Sequence, residues 1–461
     1  MTSTLPTNTN AQSTRSLAEW LAYIESHHPK SIAMGLDRCR EVARRMGLAA
    51  AARRIVVVGG TNGKGSTVAF LEAIARAAGW RVGAYTSPHL LAYNERVRID
   101  GRDASDADLV AGFEAVEAAR TALGHEPIAL TYFEFGTLAA LWLFARSDLD
   151  LAVLEVGLGG RLDAVNIVEP DVAIVTTVDL DHRDWLGDTI EAIGAEKVGI
   201  ARAWKPLILG DDDPPSSVLG HAYAIGASAV RIGCDFFFER IDDAGWRWRE
   251  IGCAFDLPMP ALAAPVQLRN AAVAIAALRA LPDSDAWPEA IYSNGVAQAR
   301  VAARLQRFER DGVEILVDVG HNPQAARALA AWLDAASSEA ASSEAVRPNF
   351  AVFAALGDKD AAGVVEALGA RIETWWLAGL ADAGPRGGDV ETFASRLQGT
   401  VAADGARFAT VEEALDAAIR EARRRAADGE TRPPRVLVFG SFHTAAAALR
   451  VLHADASSVS I

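Results

Sequence analysis

The chain has 461 residues, of which 51% are hydrophobic and 23% are charged, so a wholly disordered chain is excluded. Asp and Glu (60) outnumber Lys and Arg (45), and the formal charge of −15 argues against broad nucleic-acid binding, which needs a basic surface. The three cysteines include no C-x-x-C pair, which excludes a disulfide framework and a zinc motif of that kind.

The first 16 residues are polar and contain no apolar run, which predicts a disordered tail rather than a secretory signal. Helices are predicted over Leu17–Ser26 and Leu36–Met46. No uninterrupted run of about 18 apolar residues follows, so no transmembrane helix is expected. These features predict a soluble, cytoplasmic protein.

From residue 55 onwards, short apolar strands alternate with helical stretches. Strands that are apolar throughout and rich in β-branched residues indicate a parallel sheet covered on both faces. The predicted strands are Ile55–Val58, Arg81–Tyr85, Leu151–Val156, Val172–Val178 and Pro206–Gly210. The predicted helices are Thr67–Ala78, Leu109–Ala122, Phe135–Ala145 and Asn270–Leu281.

Two later changes of pattern predict further structure. Val230–Leu257 alternates around a glycine turn, which is typical of an antiparallel hairpin or small subsheet. The alternation of strands and helices then begins again and predicts a second α/β domain, with a boundary near Gly295–Ala303. Its predicted strands are Glu314–Val319, Ala351–Leu356, Thr374–Leu380 and Val436–Phe439.

The strongest local motif is VVVGGTNGKGST, Val56–Thr67, in which an apolar strand enters a glycine-rich turn before a helix. Such a turn directs backbone N–H groups towards a phosphate, and Lys64 adds a full positive charge. Ser66 or Thr67 supplies a hydroxyl for a magnesium ion. The spacing departs from the standard G-x-x-x-x-G-K-[ST] loop, because Val58 and Gly65 replace a glycine and a hydroxyl residue. An ordinary glycine-rich turn is the alternative.

This loop resembles the nucleotide loop of the muramyl-ligase superfamily, and later motifs narrow the resemblance. Together they are similar to the bacterial folylpolyglutamate synthase family, whose bifunctional members also make dihydrofolate. The similarity runs in order from Leu17 to Leu452. The motifs are YTSPHL (85–90), NERVRIDG (94–101), TYFEFGT (131–137), LEVGLGGRLDAVN (154–166), VDLDHRDWLGDTIEAIGAEKVGI (178–200), DVGHNPQAA (318–326) and VFGSFHT (438–444).

The resemblance implies an ATP-dependent ligase. A carboxylate of dihydropteroate, or the γ-carboxyl of a folate, takes the terminal phosphoryl group of ATP. The amino group of L-glutamate then attacks the acyl phosphate, giving an amide, ADP and phosphate. The implied partners are these small molecules, with neither nucleic acid nor membrane, and the implied state is a monomer.

The resemblance also implies roles for individual residues. The implied catalytic residues are Lys64, His182 and Lys197. Nucleotide contacts are implied for Thr61, Asn62, Gly63, Lys64, Gly65, Ser66, Thr67, Asn270, Arg304, Asp318 and His321. Two Mg²⁺ ions are implied, with Ser66, Ser87, Glu155 and His182 as ligands. The alternatives are a structural carboxylate for Glu155 and an exposed loop position for His182.

Lys197 resembles a lysine that carries a carbamate in the family. Carbamylation turns an ammonium into an anion, and it needs a lysine neutral enough to react with carbon dioxide. The alternative is a surface lysine paired with Glu191 or Glu196.

The resemblance places the pterin against Ile32, Ala33 and Met34, with Tyr132, Phe133 and Glu134 as further candidates for the same pocket. Ala33 stands where the family usually has an acid, which removes one polar contact to the pterin. This departure motivates a second hypothesis, a monofunctional folylpolyglutamate synthase that ignores dihydropteroate.

Pattern and resemblance together predict an α/β fold in two parts. Residues 17–297 form an ATP-binding ligase domain, P-loop-type, with a mostly parallel sheet and a small antiparallel subsheet. Residues 298–461 form a smaller, Rossmann-like C-terminal domain for glutamate ligation. Two further hypotheses are a muramyl ligase, disfavoured by TSPHL and TYFEFGT, and a non-catalytic nucleotide-binding regulator, which would tolerate loss of Glu155 and His182.

Overall fold

The computed structural model describes residues 15–27, 33–48, 50–339, 347–428 and 434–458. Two large sheets, each with helices on both faces, and one small antiparallel sheet confirm the predicted α/β class. Residues 1–14 of the predicted tail and Ile32 of the predicted pterin contact lie outside the described residues.

The first sheet has eight strands in the order β4-β3-β2-β5-β1-β6-β7-β8. Strands β2 and β5 to β8 run parallel with β1, and a short antiparallel hairpin, β3–β4, extends one edge. The strands are β1 (Arg54–Gly59), β2 (Val82–Tyr85), β3 (Val97–Ile99), β4 (Arg102–Asp103), β5 (Leu151–Glu155), β6 (Val172–Val175), β7 (Pro206–Leu209) and β8 (Ser228–Arg231).

Helices cover both faces of this sheet, because successive strand residues point to opposite sides. Val57 packs into one core and Val56 into the other. The helices of this first lobe are α1 (Leu17–His27), α2 (Asp37–Arg45), α3 (Lys64–Ala77), α4 (Asp106–Arg120), α5 (Tyr132–Ala145), α6 (Arg183–Leu186), α7 (Ile190–Val198), α8 (Ser216–Ile225), α9 (Val266–Arg279) and α10 (Glu289–Gln298).

The small antiparallel sheet has the order β11-β10-β9, with β9 (Phe236–Arg240), β10 (Gly245–Glu250) and β11 (Cys253–Pro258). Trp246 and Trp248 are fully buried and join its inner face to the core around α9 and α10. The predicted subsheet began too early, at Val230. That residue belongs to β8, because α8 returns the chain alongside β7.

The second sheet has the order β12-β13-β17-β14-β15-β16 and is parallel apart from β12. Its strands are β12 (Gln306–Arg310), β13 (Val313–Val317), β14 (Asn349–Phe353), β15 (Thr374–Ala378), β16 (Ala406–Phe408) and β17 (Arg435–Phe439). The helices of this second lobe are α11 (Pro323–Glu339), α12 (Ala361–Leu368), α13 (Val390–Ser395), α14 (Val411–Ala427) and α15 (Phe442–Ser458).

Each predicted strand of the two large sheets is present within a few residues, whereas β3, β4, β8, β12 and β16 were not predicted as strands of these sheets. These five are edge strands or short pieces whose side chains are partly exposed, so they lack the continuous apolar signal. Among the described residues, no helix is long and apolar enough to cross a bilayer.

Candidate active site

A glycine-rich turn joins the central strand β1 to helix α3, which begins at Lys64. Gly60 has φ +141° and Gly63 has φ +89°, conformations that residues with a side chain rarely adopt. A methyl group on Gly63 would lie 2.6 Å from Asn270 Oδ1, and one on Gly60 would overlap Thr176 Oγ1. The backbone N–H groups of the turn and the positive end of α3 form a surface suited to an anion.

Replacing Gly63 by alanine should impair nucleotide binding, because the added methyl group must displace Asn270. We expect the KM for ATP to rise about 10-fold or more, because a strain of roughly 1–2 kcal/mol and the clash with Asn270 then act on the turn that binds the phosphates. Gly79 is a matched control: it has φ +85° at the far end of α3, with nothing within 4 Å of an added Cβ. Gly79→Ala should lower the melting temperature and leave the KM unchanged. An equal change of KM in both variants would contradict this expectation.

Lys64 folds back over the turn. Its Nζ donates hydrogen bonds to the carbonyl oxygens of Gly60, at 2.9 Å, and Thr61, at 3.1 Å. Burial lowers the pKa of this amine, and the negative charges of Glu155 and Asp181 act in the opposite direction. The lysine is therefore close enough to be affected by two carboxylates that follow different strands, β5 and β6.

Glu155 ends strand β5 next to the glycine turn and is only 5% exposed. Its Oε2 accepts a hydrogen bond from the Ser87 N–H at 3.1 Å, and a methyl group on Gly65 would lie 3.7 Å from the same oxygen. Burial raises the pKa of Glu155, and the charge of Lys64 opposes that rise. The structure thus brings four predicted site residues together at the carboxyl ends of β1, β2 and β5, where ligands of parallel sheets collect.

Asp181 lies at the centre of a charged cluster between the two lobes. Its Oδ1 is 2.7 Å from Lys359 Nζ, and its Oδ2 is 3.6 Å from His321 Nε2 and 3.9 Å from His182 Nε2. Burial lowers the pKa of both histidines, to about 4 for His182. Lys359 is the cation that pairs most closely with Asp181.

The predicted metal ligands Ser66, Ser87, Glu155 and His182 offer two hydroxyls, a carboxylate and a neutral imidazole. Nowhere in the described part of the chain do three His, Cys, Asp or Glu side chains cluster as a complete metal site. Magnesium commonly takes one or two protein carboxylates and shares its other positions with water and phosphate oxygens. One buried carboxylate beside the turn fits an ion held jointly with a nucleotide, and the individual ligand roles stay predictions.

Lys197 is 4% exposed near the end of α7. Burial lowers its pKa to about 7, and the charge of Lys64 adds to that shift. The alternative of a surface ion pair is wrong: Glu196 pairs with Arg161 at 2.7 Å, and Glu191 accepts hydrogen bonds from residues 216 and 217. At neutral pH a large share of Lys197 is the neutral amine that carbamylation requires.

The nucleotide contacts expected outside the glycine turn converge only in part. Asn270 lies against the turn at Gly63. The positive charge of Arg304 lowers the pKa of both Lys64 and Glu155, so Arg304 also lies near the turn. Asp318 is already engaged by the backbone, since its carboxylate accepts hydrogen bonds from the N–H groups of residues 305 and 320, both at 2.8 Å. The structure therefore brings Asn270 and Arg304 to the turn.

A cleft of about 1720 Å³ runs between the lobes and contains the predicted pterin residues. Ala33, Met34, Tyr132, Phe133 and Glu134 line it, together with Ser87, His182 and His321. Both carboxylate oxygens of Glu134 are engaged within the protein. One accepts from Arg38 Nη2 at 2.7 Å, and the other accepts from the Thr131 N–H at 2.7 Å and caps α5. Arg38 Nη2 also donates to the carbonyl oxygen of Ala33 at 2.9 Å, so Arg38 links Glu134 to the Ala33 backbone on this side of the cleft.

Several contacts that join the lobes were not predicted. The side-chain amides of Asn62 and Asn322 exchange hydrogen bonds at 3.2 and 3.1 Å, and Arg327 pairs with Asp179 at 2.9 Å. Lys359 follows strand β14, just as Asp181 follows β6. The rule that ligands collect beyond parallel strand ends could have found Lys359.

Profiles of known families match most of the chain. "Mur ligase middle domain" matches residues 58–277, and "Mur ligase, glutamate ligase domain" matches residues 303–442. The dihydrofolate synthase/folylpolyglutamate synthase of Escherichia coli K12 is 40% identical over 450 residues, which cover 97% of this chain and 98% of that protein. The chain belongs to the folylpolyglutamate synthase family of Mur ligases. The family member from Haemophilus influenzae is 37% identical and covers 95% of this chain and 98% of its own length.

Solved structures of the family agree with this fold. E. coli FolC in complex with DHPP and ADP has a TM-score of 0.85 and 40% identity, covering 96% of this chain and 99% of that one. The bifunctional synthase from Yersinia pestis, complexed with AMPPNP and Mn, has a TM-score of 0.82 and 40% identity, with coverage of 95% and 98%. The folylpolyglutamate synthase of Mycobacterium tuberculosis with ADP and AMPPCP has a TM-score of 0.80 at 29% identity, covering 91% of this chain and 95% of its own.

Proposed function

We propose that the chain is an ATP-dependent ligase that joins L-glutamate to dihydropteroate, forming dihydrofolate, and to the γ-carboxyl of folates, forming polyglutamates. The family and the relatives named above support this reaction class. Two observations support it most directly. The charge of Arg304, from the second lobe, acts on Lys64 and Glu155 of the first lobe. Ser87, whose N–H donates to Glu155, lines the cleft between the lobes together with His321.

The reaction has two steps. The acceptor carboxylate oxygen attacks the terminal phosphorus of ATP, ADP leaves, and an acyl phosphate forms. The glutamate nitrogen then attacks the acyl carbon, phosphate leaves, and the amine gives up a proton to form the amide. Phosphoryl transfer of this kind depends on positioning and charge neutralisation, which the glycine turn, Lys64 and Arg304 would supply. A cleft between two lobes would keep water from the acyl phosphate.

We further propose Mg²⁺ as the divalent ion, held with the help of Ser66, Ser87, Glu155 and His182. It would neutralise phosphate charge in the first step. Residues 17–297 and 298–461 would act as the two catalytic domains of a monomer that works in the cytoplasm with small-molecule substrates. Nucleotide contacts are proposed for Thr61, Asn62, Thr67, Asn270, Asp318 and His321 as well as the turn.

A carbamate on Lys197 is also part of the proposal. A lysine whose pKa is near 7 reacts with CO₂ mainly above that pH, because the protonated ammonium has no free electron pair. Activity should therefore fall as pH drops from 8 to 6, and CO₂-depleted buffer should lower activity at pH 8. With ¹³C-bicarbonate, a carbamate carbon should appear by NMR in the wild type and be absent in Lys197→Met. Full activity without CO₂ would contradict the modification.

The decisive assay supplies purified protein with ATP, Mg²⁺, L-glutamate and either dihydropteroate or tetrahydrofolate. We expect amide product and stoichiometric phosphate with both acceptors. Phosphate release without an amide product would overturn the proposal. Turnover of tetrahydrofolate alone would favour the monofunctional enzyme, which Ala33 motivates because no side-chain carboxylate is available at that position.

A further inference from the structure

Arg96 is a buried cation in the wall of the cleft, just before strand β3. Its side chain lines the cleft, and the residue is only 9% exposed. Nε donates to His89 Nδ1 at 2.9 Å, and Cζ lies 5.3 Å from the Tyr93 ring centre and 5.6 Å from that of Tyr132. The Thr86 N–H donates to the Arg96 carbonyl at 2.9 Å, which fixes Arg96 beside the segment that leads to Ser87.

No acid compensates this guanidinium within the part of the chain that the structure describes. The adjacent Glu95 carboxylate is used elsewhere: it accepts the N–H groups of residues 90, 91 and 92 at 2.7 to 2.8 Å. His89 supplies no counter-charge either, because its Nδ1 is the acceptor of the hydrogen bond from Arg96 Nε. A buried charge without a counter-charge is costly, and the two terminal nitrogens of Arg96 have no protein hydrogen bond among the described residues.

The two acceptors of the proposed reaction differ in one respect that matters here. Dihydropteroate has a single carboxylate, which must be phosphorylated. A folate carries two on its glutamyl residue, and only the γ-carboxylate is to be extended. The enzyme must therefore hold the α-carboxylate away from the phosphoryl group. A planar guanidinium fixed by a histidine and two aromatic rings matches a carboxylate in a bidentate geometry.

Building on the proposed function, we propose that Arg96 binds the α-carboxylate of the glutamyl residue of a folate acceptor and thereby directs ligation to the γ-carboxyl. Its neighbours agree with this position. Arg96 lines the same cleft as Tyr132, a residue predicted to contact the pterin, and Ser87, a predicted metal ligand.

The test compares KM values for tetrahydrofolate monoglutamate and dihydropteroate in Arg96→Gln and Arg96→Lys. In Arg96→Gln the ratio of the two KM values should rise about 10- to 100-fold, the range for loss of a charge-assisted pair. Arg96→Lys should fall in between, because it keeps the charge and loses the bidentate geometry. Arg102→Gln is the matched control, since Arg102 lies on β4 of the same hairpin, exposed and outside the cleft, and it should leave the ratio unchanged.

A second arm changes the substrate and needs no variant. The wild type should bind the α-carboxamide of tetrahydrofolate more weakly than the acid by the same factor, and Arg96→Gln should no longer distinguish the two. A wild type that does not distinguish acid from amide overturns the inference. So do equal KM increases for both acceptors, or a raised KM for L-glutamate with dihydropteroate as acceptor. Absence of amide product from either acceptor in the wild type would instead refute the proposed function itself.

Discussion

Lys64→Met should lower turnover by about 10³-fold or more, the effect expected when a positive charge is removed from a phosphoryl-transfer site. Lys64 begins α3 at the glycine turn and lies within reach of the charges of Glu155 and Asp181. Its hydrogen bonds to the carbonyl groups of Gly60 and Thr61 are replaceable, so it can turn from the loop to a phosphate. Methionine keeps the apolar stem and removes the charge alone.

Phosphate release and amide formation should both be measured for this variant, with the melting temperature as a check on folding. Lys205→Met is the matched control, because Lys205 is half exposed and pairs with Asp171 at 3.0 Å on the surface. We expect the control to keep normal rates, since exposed ion pairs contribute little. Normal turnover in Lys64→Met would remove the central premise of the proposed mechanism.

Lys359→Met should reduce kcat/KM by about 100-fold or more, because removing one partner of a buried ion pair leaves a buried charge at a cost of roughly 3–5 kcal/mol. Lys359 and Asp181 are only 8% and 11% exposed in their side chains, and they belong to different lobes. The cost therefore falls on the contact between the lobes rather than on the core of either one. Although burial alone would raise the pKa of Asp181, its basic neighbours His321, His182 and Lys359 hold it well below its usual range.

A double-mutant cycle with Asp181→Asn separates this pair from its surroundings. The double variant should lose much less than the sum of the two single effects, because neither charge is then left unpaired. Arg327→Met is the matched control: it breaks the Asp179 pair between the same lobes, but the Arg327 side chain is 60% exposed. We expect less than about a fivefold loss there. Equal losses in Arg327→Met and Lys359→Met would show that burial of the pair is unimportant.

The sequence predicted best those elements whose structure is determined by the residues within the element itself. Strand β1 is apolar on both faces, and the turn after it contains glycines at the two positions, Gly60 and Gly63, that have positive φ. The twelve residues from Val56 to Thr67 were therefore enough to predict the strand, the turn and the start of the helix. Glu155 was found for a similar reason, because it is a carboxylate at the end of an otherwise apolar strand. The resemblance then added residues that the local pattern does not distinguish, such as Asn270 and Arg304.

Other features depend on residues far apart in the chain and have no local signal. Glu134 lines the cleft, but only the structure shows that its two carboxylate oxygens accept hydrogen bonds from Thr131 and Arg38. Lys359 pairs with a residue 178 positions away, and only the packing of two lobes makes that contact. Burial likewise decides that Lys197 is neutral enough for carbamylation, since desolvation depends on the surrounding fold.

The α/β class, the central strands of both large sheets, the glycine turn and the family could all be predicted from the sequence. These follow from apolar periodicity, glycine positions and ordered motifs, all of which are local. Which charges meet between the lobes follows only from the folded structure, and so does the absence of a counter-charge at the buried Arg96 among the described residues. Electrostatic pairing and desolvation depend on distances in space, and spacing along the chain does not fix those distances.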